Sequence, residues 1–391
     1  MKIAERMQDL GSEMAFEVLA KAKALEEQGK DIVHLEIGEP DFDTPSHIIE
    51  AGIKAIREGY THYGPTAGLP DLRAGIARNI RETRGIDIDP GRVLVTPGGK
   101  PIIFFTALAL VQDGDEVMYP DPGFPIYESM IRFLGARPVP IRLREEEGCH
   151  LDLEDLEAKI SKRTKMIIIN SPHNPTGSVM SRQEVANLAE ILKKREDIYV
   201  LSDEIYKDIL YEGEHFSIAA IPGMERRTII LDGFSKSYAM TGWRLGYGIF
   251  PEEVFPHVDK LAANSVSCAA AFTQKAAIAA LEGPQSIVAE RVCELKRRRD
   301  VIVEGLRGIP GIECPKPQGA FYVFPNIEET GITSWEFQER GLKEAGVALL
   351  AGESFGGYGK GFVRLSYATS EQNIQKAIDR LGHWVMKSNK N

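Results

Sequence analysis

From Arg92 onward one unit recurs along the chain: a short apolar run rich in β-branched residues, a turn built on Gly and Pro, then a helical stretch. RVLVT runs through PGGK into IIFFTALAL, EVMYP runs through DPGFP into a helix, MIIIN runs through SPHNPTG into another, and YVLSD and TIILDG follow. Near-continuous apolar strands of this kind suit a sheet covered by helices on both faces. The pattern predicts an α/β domain with a largely parallel sheet and right-handed crossovers. In such sheets ligands sit beyond the carboxyl ends of the strands. The least ordinary residues of this chain fall in those places.

The flanking segments have a different rhythm. Glu13 to Gln28 repeats apolar residues at helical spacing and stops at Gly29, DIVHLEIG reads as a strand, and Gly38 to Pro45 is a turn-rich link. Helices are predicted from Ser46 and from Pro70–Asp71, where Pro and an acid suit a first turn. After Pro251 the pattern is helical to about Leu306. A smaller α+β part follows, with strands in AFYVF, VALLAG and FVRLSYA and helices over Ser334–Ala345 and Glu371–Val385. The expected division is an N-terminal segment 1–43 packing with a small domain 285–391, around a large domain 44–284. A chain of 391 residues is long enough for two domains.

A net charge of −10 argues against nucleic acid as the main partner, and the KRRR cluster at Lys296–Arg299 reads as a solvated helix face. The four cysteines have no CxxC spacing, so neither zinc nor a disulfide framework is suggested. The amino terminus carries acids and no apolar core of a signal peptide, and the longest apolar run, Ile102–Val111, is too short to span a bilayer. A cytoplasmic protein without a membrane segment is expected.

Chemistry concentrates in FSKSYAMTGWRLGYG, from Phe234 to Gly248. Lys236 lies between Ser235 and Ser237, with Asp232 the nearest acid before it and none after it until Glu252. Such a lysine, if partly buried, can lose its proton and act as a Schiff-base nucleophile. Arg244 offers a planar fork suited to phosphate. Gly99 and Lys100 open a helix whose first N–H groups would face an anion. Phe124 sits on a connection and could stack on a flat ring. In NSPHNPTG, Asn170 and Asn174 define a rigid loop, and Asp203 and Tyr206 follow a strand end in SDEIY. Taken singly each has an ordinary alternative: a loop lysine, a strand-edge arginine, a plain strand-to-helix turn, an exposed aromatic, or a helix N-cap at Asp203.

Together, and in this order across nearly the whole chain, GGK, DPGF, NSPHNPTG, SDEIY, SKSYAMTGWR and FVRLSYA closely resemble the class I/II (fold-type I) aminotransferases that depend on pyridoxal 5′-phosphate. IGEPDFDTP, YGPTAGLPDLR and LSYATSEQNI resemble the aspartate aminotransferase-like subgroup. The resemblance implies a mostly parallel seven-stranded sheet in the large domain, and a role for each matching residue. Lys236 would carry the cofactor and then shuttle a proton. Asp203 would keep the ring nitrogen protonated, Asn174 and Tyr206 would bond the ring oxygen, and Phe124 would stack on the ring. Ser235, Arg244 and the backbone at Gly99 and Lys100 would hold the phosphate. Tyr63 of a second subunit would complete that grip, which implies a homodimer. Arg364 would take the substrate α-carboxylate, helped by Asn174 and the backbone at Gly38.

Substrate is less constrained. Lys100 matches a lysine that some members place near a distal carboxylate, and 2-oxoglutarate is the acceptor implied by family habit. Phe124, where such enzymes carry tryptophan, and Glu13, Met14 and Ala15, where they carry small hydroxyl residues, leave alanine, aromatic or other neutral donors open. A lyase of the same fold and a cofactor-sensing regulatory module are the rival classes. The first would release ammonia or thiol without an acceptor, and the second needs a DNA-binding extension.

Overall fold

The computed structural model describes residues 3–145 and 148–388. In chain order its strands are β1 (Val33–His34), β2 (Val93–Thr96), β3 (Glu116–Asp121), β4 (Arg137–Arg144), β5 (His150–Leu151), β6 (Thr164–Asn170), β7 (Tyr199–Asp203), β8 (Thr228–Gly233), β9 (Gly246–Ile249), β10 (Tyr322–Val323), β11 (Val347–Ala348), β12 (Leu350–Ala351) and β13 (Val363–Ser366). The large sheet has eight strands in the order β2-β9-β8-β7-β6-β3-β4-β5. Neighbours from β4 through β8 run parallel, while β9 is antiparallel to both β2 and β8. The seven strands implied by the resemblance gain an eighth, because β5 turns back on the end of β4 to pair Leu143 with Leu151. Two residues are too few to show a strand period.

Alternation along each strand divides the core. Leu94, Ile229 and Leu231 face helices Lys100–Leu110, Ile126–Phe133 and Phe255–Ser265 on one side. Val93, Val95 and Ile230 face helices Pro70–Arg84 and Ala271–Glu282 on the other. Both faces are therefore covered, as the apolar strands require. At the carboxyl end of the sheet Asn170 is in register with Asp203, and Asp203 with Leu231.

The rest of the chain builds a three-stranded antiparallel sheet, β10-β13-β12, and a parallel pair, β1-β11. Helices Ser286–Arg307 and Glu371–Ser388 pack against it through Leu295, Ile302, Ile374 and Leu381. The amino-terminal helix, Met14–Glu26, shares a core with Ala348 and Leu350 through Val18 and Ala22. The KRRR cluster corrects half of its sequence reading, for Lys296 and Arg297 are exposed as expected. Arg298 and Arg299 are buried, and Arg299 bonds to the Pro317 carbonyl at 3.0 Å while its guanidinium lies 4.8 Å from the Tyr211 ring. A helix face rich in arginine can turn inward when carbonyls and rings receive the guanidinium.

Candidate active site

A cavity of about 530 Å³ opens at the carboxyl ends of β3, β6, β7 and β8, and it is lined by every predicted site residue except Tyr63. Tyr63 is 90% exposed on its own loop. The remaining predicted residues, from Gly38 and Gly99 to Arg364, come together from both parts of the molecule.

One end of the cavity suits an anion. Helix Lys100–Leu110 starts there with Gly99 as its N-cap, so the positive end of the helix stands at the opening. Gly98 has φ +85°, and a Cβ on it would lie 2.5 Å from Nη2 of Arg244. The glycine thus lets the guanidinium lie against the turn. Arg244, itself in the left-handed region at φ 52°, donates from Nη1 to the Thr241 carbonyl at 2.8 Å. Ser235 lines the same end.

Lys236 projects from the turn after β8, and its Nζ donates to the Gly38 carbonyl at 2.6 Å. Burial pushes its ammonium down to about 8, with Glu39 opposing and Arg364 assisting. The lack of sequence-adjacent acids foresaw part of this setting. Glu39 and Glu13, whose charges also reach Lys236, arrive from distant segments. Glu39 in turn accepts from the Thr241 hydroxyl.

Asp203 ends β7 and is buried; burial raises its carboxyl to about 6. Two hydrogen bonds counteract that rise: Tyr127 Oη donates at 2.6 Å, and the Ile205 N–H at 3.2 Å. Asp203 is followed by a turn, so the helix N-cap alternative does not hold. Asn170 Nδ2 braces the same strand end by donating to the Asp203 carbonyl at 2.9 Å. Phe124 stands edge-on to Tyr127, with ring centroids 5.6 Å apart.

Arg364, on β13, is buried across the cavity. Its Nη1 donates to Asn174 Oδ1 at 3.1 Å and its Nη2 to the Glu36 carbonyl at 2.5 Å, while Nε has no partner among the described residues. Burial lowers its pKa. The rings of Tyr322 and Phe355 lie 4.5 and 4.8 Å from the guanidinium carbon. Tyr206 shares a 2.7 Å hydrogen bond with the Tyr322 hydroxyl, and any side chain on Gly38 would collide with that same hydroxyl.

At the far end Lys100 is ion-paired with Glu13, from the segment just before the amino-terminal helix. Its ammonium lies 5.9 Å from the rings of both Phe16 and Phe124. Nothing in the order of residues marks Tyr127, Tyr322 or Phe16 as lining residues. Each sits in a helix or strand outside the motifs, and only the fold brings it to the cavity.

The cavity therefore combines a lysine of lowered pKa, a buried carboxylate at a strand end, an anion-binding turn and a buried arginine facing neutral groups. Comparison with known proteins agrees with that chemistry. The family model for aminotransferase class I and II matches residues 30–381. Aspartate aminotransferase of Pyrococcus horikoshii is 41% identical over 382 residues, covering 97% of this chain and 96% of that protein. Aromatic-amino-acid aminotransferase 2 of Thermococcus litoralis is 39% identical over 354 residues, 90% of each. The solved alanine aminotransferase of Pyrococcus furiosus superposes with a TM-score of 0.93 at 38% identity, over 99% of this chain and all of that one (100%). An active-site architecture and a sequence shared over nearly the full length lead to one conclusion: this chain belongs to the class I and II aminotransferases.

Proposed function

We propose that this aminotransferase moves the α-amino group of an L-amino acid to 2-oxoglutarate by a ping-pong route, using pyridoxal 5′-phosphate, as a cytoplasmic homodimer. The observation that carries the proposal is the joint setting of Lys236, Asp203 and Arg364 in one cavity. The residues fit the cofactor. Asp203 is a buried acid with no cationic partner among its bonds, and the Gly98 turn leaves room for Arg244 beside the start of a helix. When bound, pyridoxal 5′-phosphate supplies an aldehyde for the amino group and a ring that withdraws electrons from Cα.

The protein's own groups do the rest. Asp203 would pair with the ring nitrogen and keep it protonated. Asn174 and Tyr206 would bond the ring oxygen, Phe124 would stack on the ring, and Ser235, Arg244 and the Gly99–Lys100 backbone would hold the phosphate. Arg364 takes the α-carboxylate and fixes the substrate so that the Cα–H bond faces Lys236, aided by Asn174 and the backbone at Gly38. Burial lowers the Lys236 ammonium to about 8, which lets its amino group take up a proton from Cα and release it again near neutral pH. The highly exposed Tyr63 ring supports a dimer in which it reaches the partner's phosphate site. No described helix is long and apolar enough to cross a membrane. The cytoplasmic assignment is supported by four cysteines that are all free, as in a reducing compartment.

Aspartate-like specificity is the first reading, supported by relatives of that name. A second reading, a neutral or aromatic donor, is favoured by the Glu13–Lys100 ion pair, which leaves the far end neutral and bordered by Phe16 and Phe124. One experiment tests both. Single L-amino acids, aspartate, alanine and phenylalanine among them, are added to holoenzyme without any oxo acid. Loss of the visible cofactor absorption, release of one equivalent of oxo acid and recovery on adding 2-oxoglutarate establish the reaction and name the donor. Continuous ammonia release, or no change with any donor, would sink it. Lys236→Ala should bind cofactor and show no turnover; a variant with a substantial transamination rate contradicts the assignment.

A further inference from the structure

On the sheet face turned away from the cavity lies a charge cluster that the reaction does not use directly. The Arg84 side chain is wholly buried (0% exposed) at the end of helix Pro70–Arg84, and it meets Glu204 (1%) and Asp232 (2%). Its Nε donates to Glu204 Oε2 at 2.5 Å and its Nη2 to Asp232 Oδ2 at 2.6 Å. Each carboxylate is held further. Glu204 Oε1 accepts from Ser202 at 2.9 Å and Ser217 at 2.6 Å, and His215 Nε2 stands 3.0 Å from Oε2. Asp232 accepts from Tyr247 Oη at 2.8 Å and the Gly233 N–H at 2.7 Å.

The positions of these acids in the chain give the cluster its meaning. Glu204 follows Asp203 directly, so on an extended strand end the two side chains point to opposite faces. Asp232 lies four residues before Lys236. One rigid guanidinium therefore ties together the end of β7, where Asp203 projects, and the end of β8, which leads into the turn carrying Lys236. A second tie runs beside it. Lys207 pairs with Asp208 at 2.5 Å and lies 3.9 Å from Asp232, and the hydroxyl of Ser237, next to Lys236, donates to Asp208 at 2.7 Å.

We propose that Arg84 is a positioning residue for amino transfer, which fixes Lys236 relative to Asp203 by crosslinking the ends of β7 and β8 from behind the sheet. The assignment rests on the reading of the site given above. Its physical basis is that a planar fork bonded to two buried carboxylates has one arrangement, whereas a lysine ammonium is a point charge on a flexible stem and does not fix the two carboxylates in one geometry. A small displacement of one strand end would misalign the groups on its other face, and misplacements of that order cost up to about a hundredfold in rate.

The test uses holoenzyme and apoprotein of Arg84→Lys and Asp232→Asn, the second keeping an oxygen for Tyr247 and removing the ionic arm. Arg227→Lys is the control, a buried arginine at the amino end of β8 that bonds only carbonyls, of Leu192 and Arg195. Expected are a kcat lowered roughly tenfold or more with the KM for the amino acid within about twofold, and pyridoxal 5′-phosphate affinity of the apoprotein, read by fluorescence titration, lowered roughly tenfold. Arg227→Lys should lower only the unfolding midpoint. If both variants lose thermal stability as the control does and keep wild-type kcat and cofactor affinity, the positioning role is overturned. If Arg84→Lys does not fold, Asp232→Asn decides. If the wild type converts no amino acid, the reaction assignment falls, and the cofactor-affinity measurement still decides the role of Arg84.

Discussion

Among the buried arginines, Arg84 and Arg364 have opposite surroundings. Arg84 carries its counterions with it: burial alone would lower its pKa, but Glu204 and Asp232 outweigh that effect and raise it. Arg364 is buried against a carbonyl, an amide oxygen and two rings, with no carboxylate bonded to it, and its pKa is lowered by burial. The first is complete as it stands. The second lines the cavity with no carboxylate bonded to it among the described residues, which is how a protein prepares a place for a carboxylate that comes from outside.

The comparison can be broken most easily at Arg84. Arg84→Met strands two buried acids and should lower the unfolding free energy by about 3–5 kcal/mol, measured by denaturant titration of apoprotein. Arg364→Met strands none. It should leave apoprotein stability within about 1 kcal/mol of wild type, yet lower kcat/KM for every α-carboxylate substrate by about 10²–10³-fold. Equal stability losses in the two variants would erase the distinction.

Smaller effects sharpen it. Tyr127→Phe removes one of the two bonds that hold down the Asp203 carboxyl, which already stands at about 6, so its pKa rises further. An ionised Asp203 is needed opposite a protonated ring nitrogen. Cofactor affinity should therefore fall by roughly tenfold near pH 6 and by less at pH 8, read by titration of apoprotein at both values. The smallest effect concerns His34, raised to about 9 by its 2.8 Å bond to buried Glu36, against the opposing effect of its own burial. A histidine with a raised folded pKa contributes stability that is complete below its unfolded pKa, about 6.5, and is lost as pH rises through about 9. The difference in unfolding midpoint between wild type and His34→Gln should be clear at pH 6 and vanish by pH 10. A difference that persists at pH 10 would assign His34 a packing role instead.

Much of the site was legible because its parts are local. Lys236, Arg244 and Ser235 share one stretch of chain, and Asp203 and Tyr206 share another, so neighbouring residues identify them. The turn at Gly99 could be read because a strand, two glycines and an apolar helix occur in immediate succession. The eighth strand could not, since β5 is only two residues long and has no period to read. The KRRR cluster misled for a related reason: a helix pattern says which residues share a face and not what that face meets.

By itself the sequence determined the α/β architecture, the strand ends as the place of chemistry and the identity of most groups gathered there, because strand period, turn chemistry and short motifs are written in adjacent residues. Only the tertiary structure decided that Glu13 neutralises Lys100, that Glu39 stands near Lys236, that Tyr127 holds Asp203 and that Arg84 joins Glu204 to Asp232. These pairs are brought together from distant parts of the chain, Glu13 and Lys100 lying 87 positions apart and Arg84 and Asp232 148. Whether two such charges meet depends on how whole helices and strands pack, since burial makes an unpaired charge costly and a paired one tolerable.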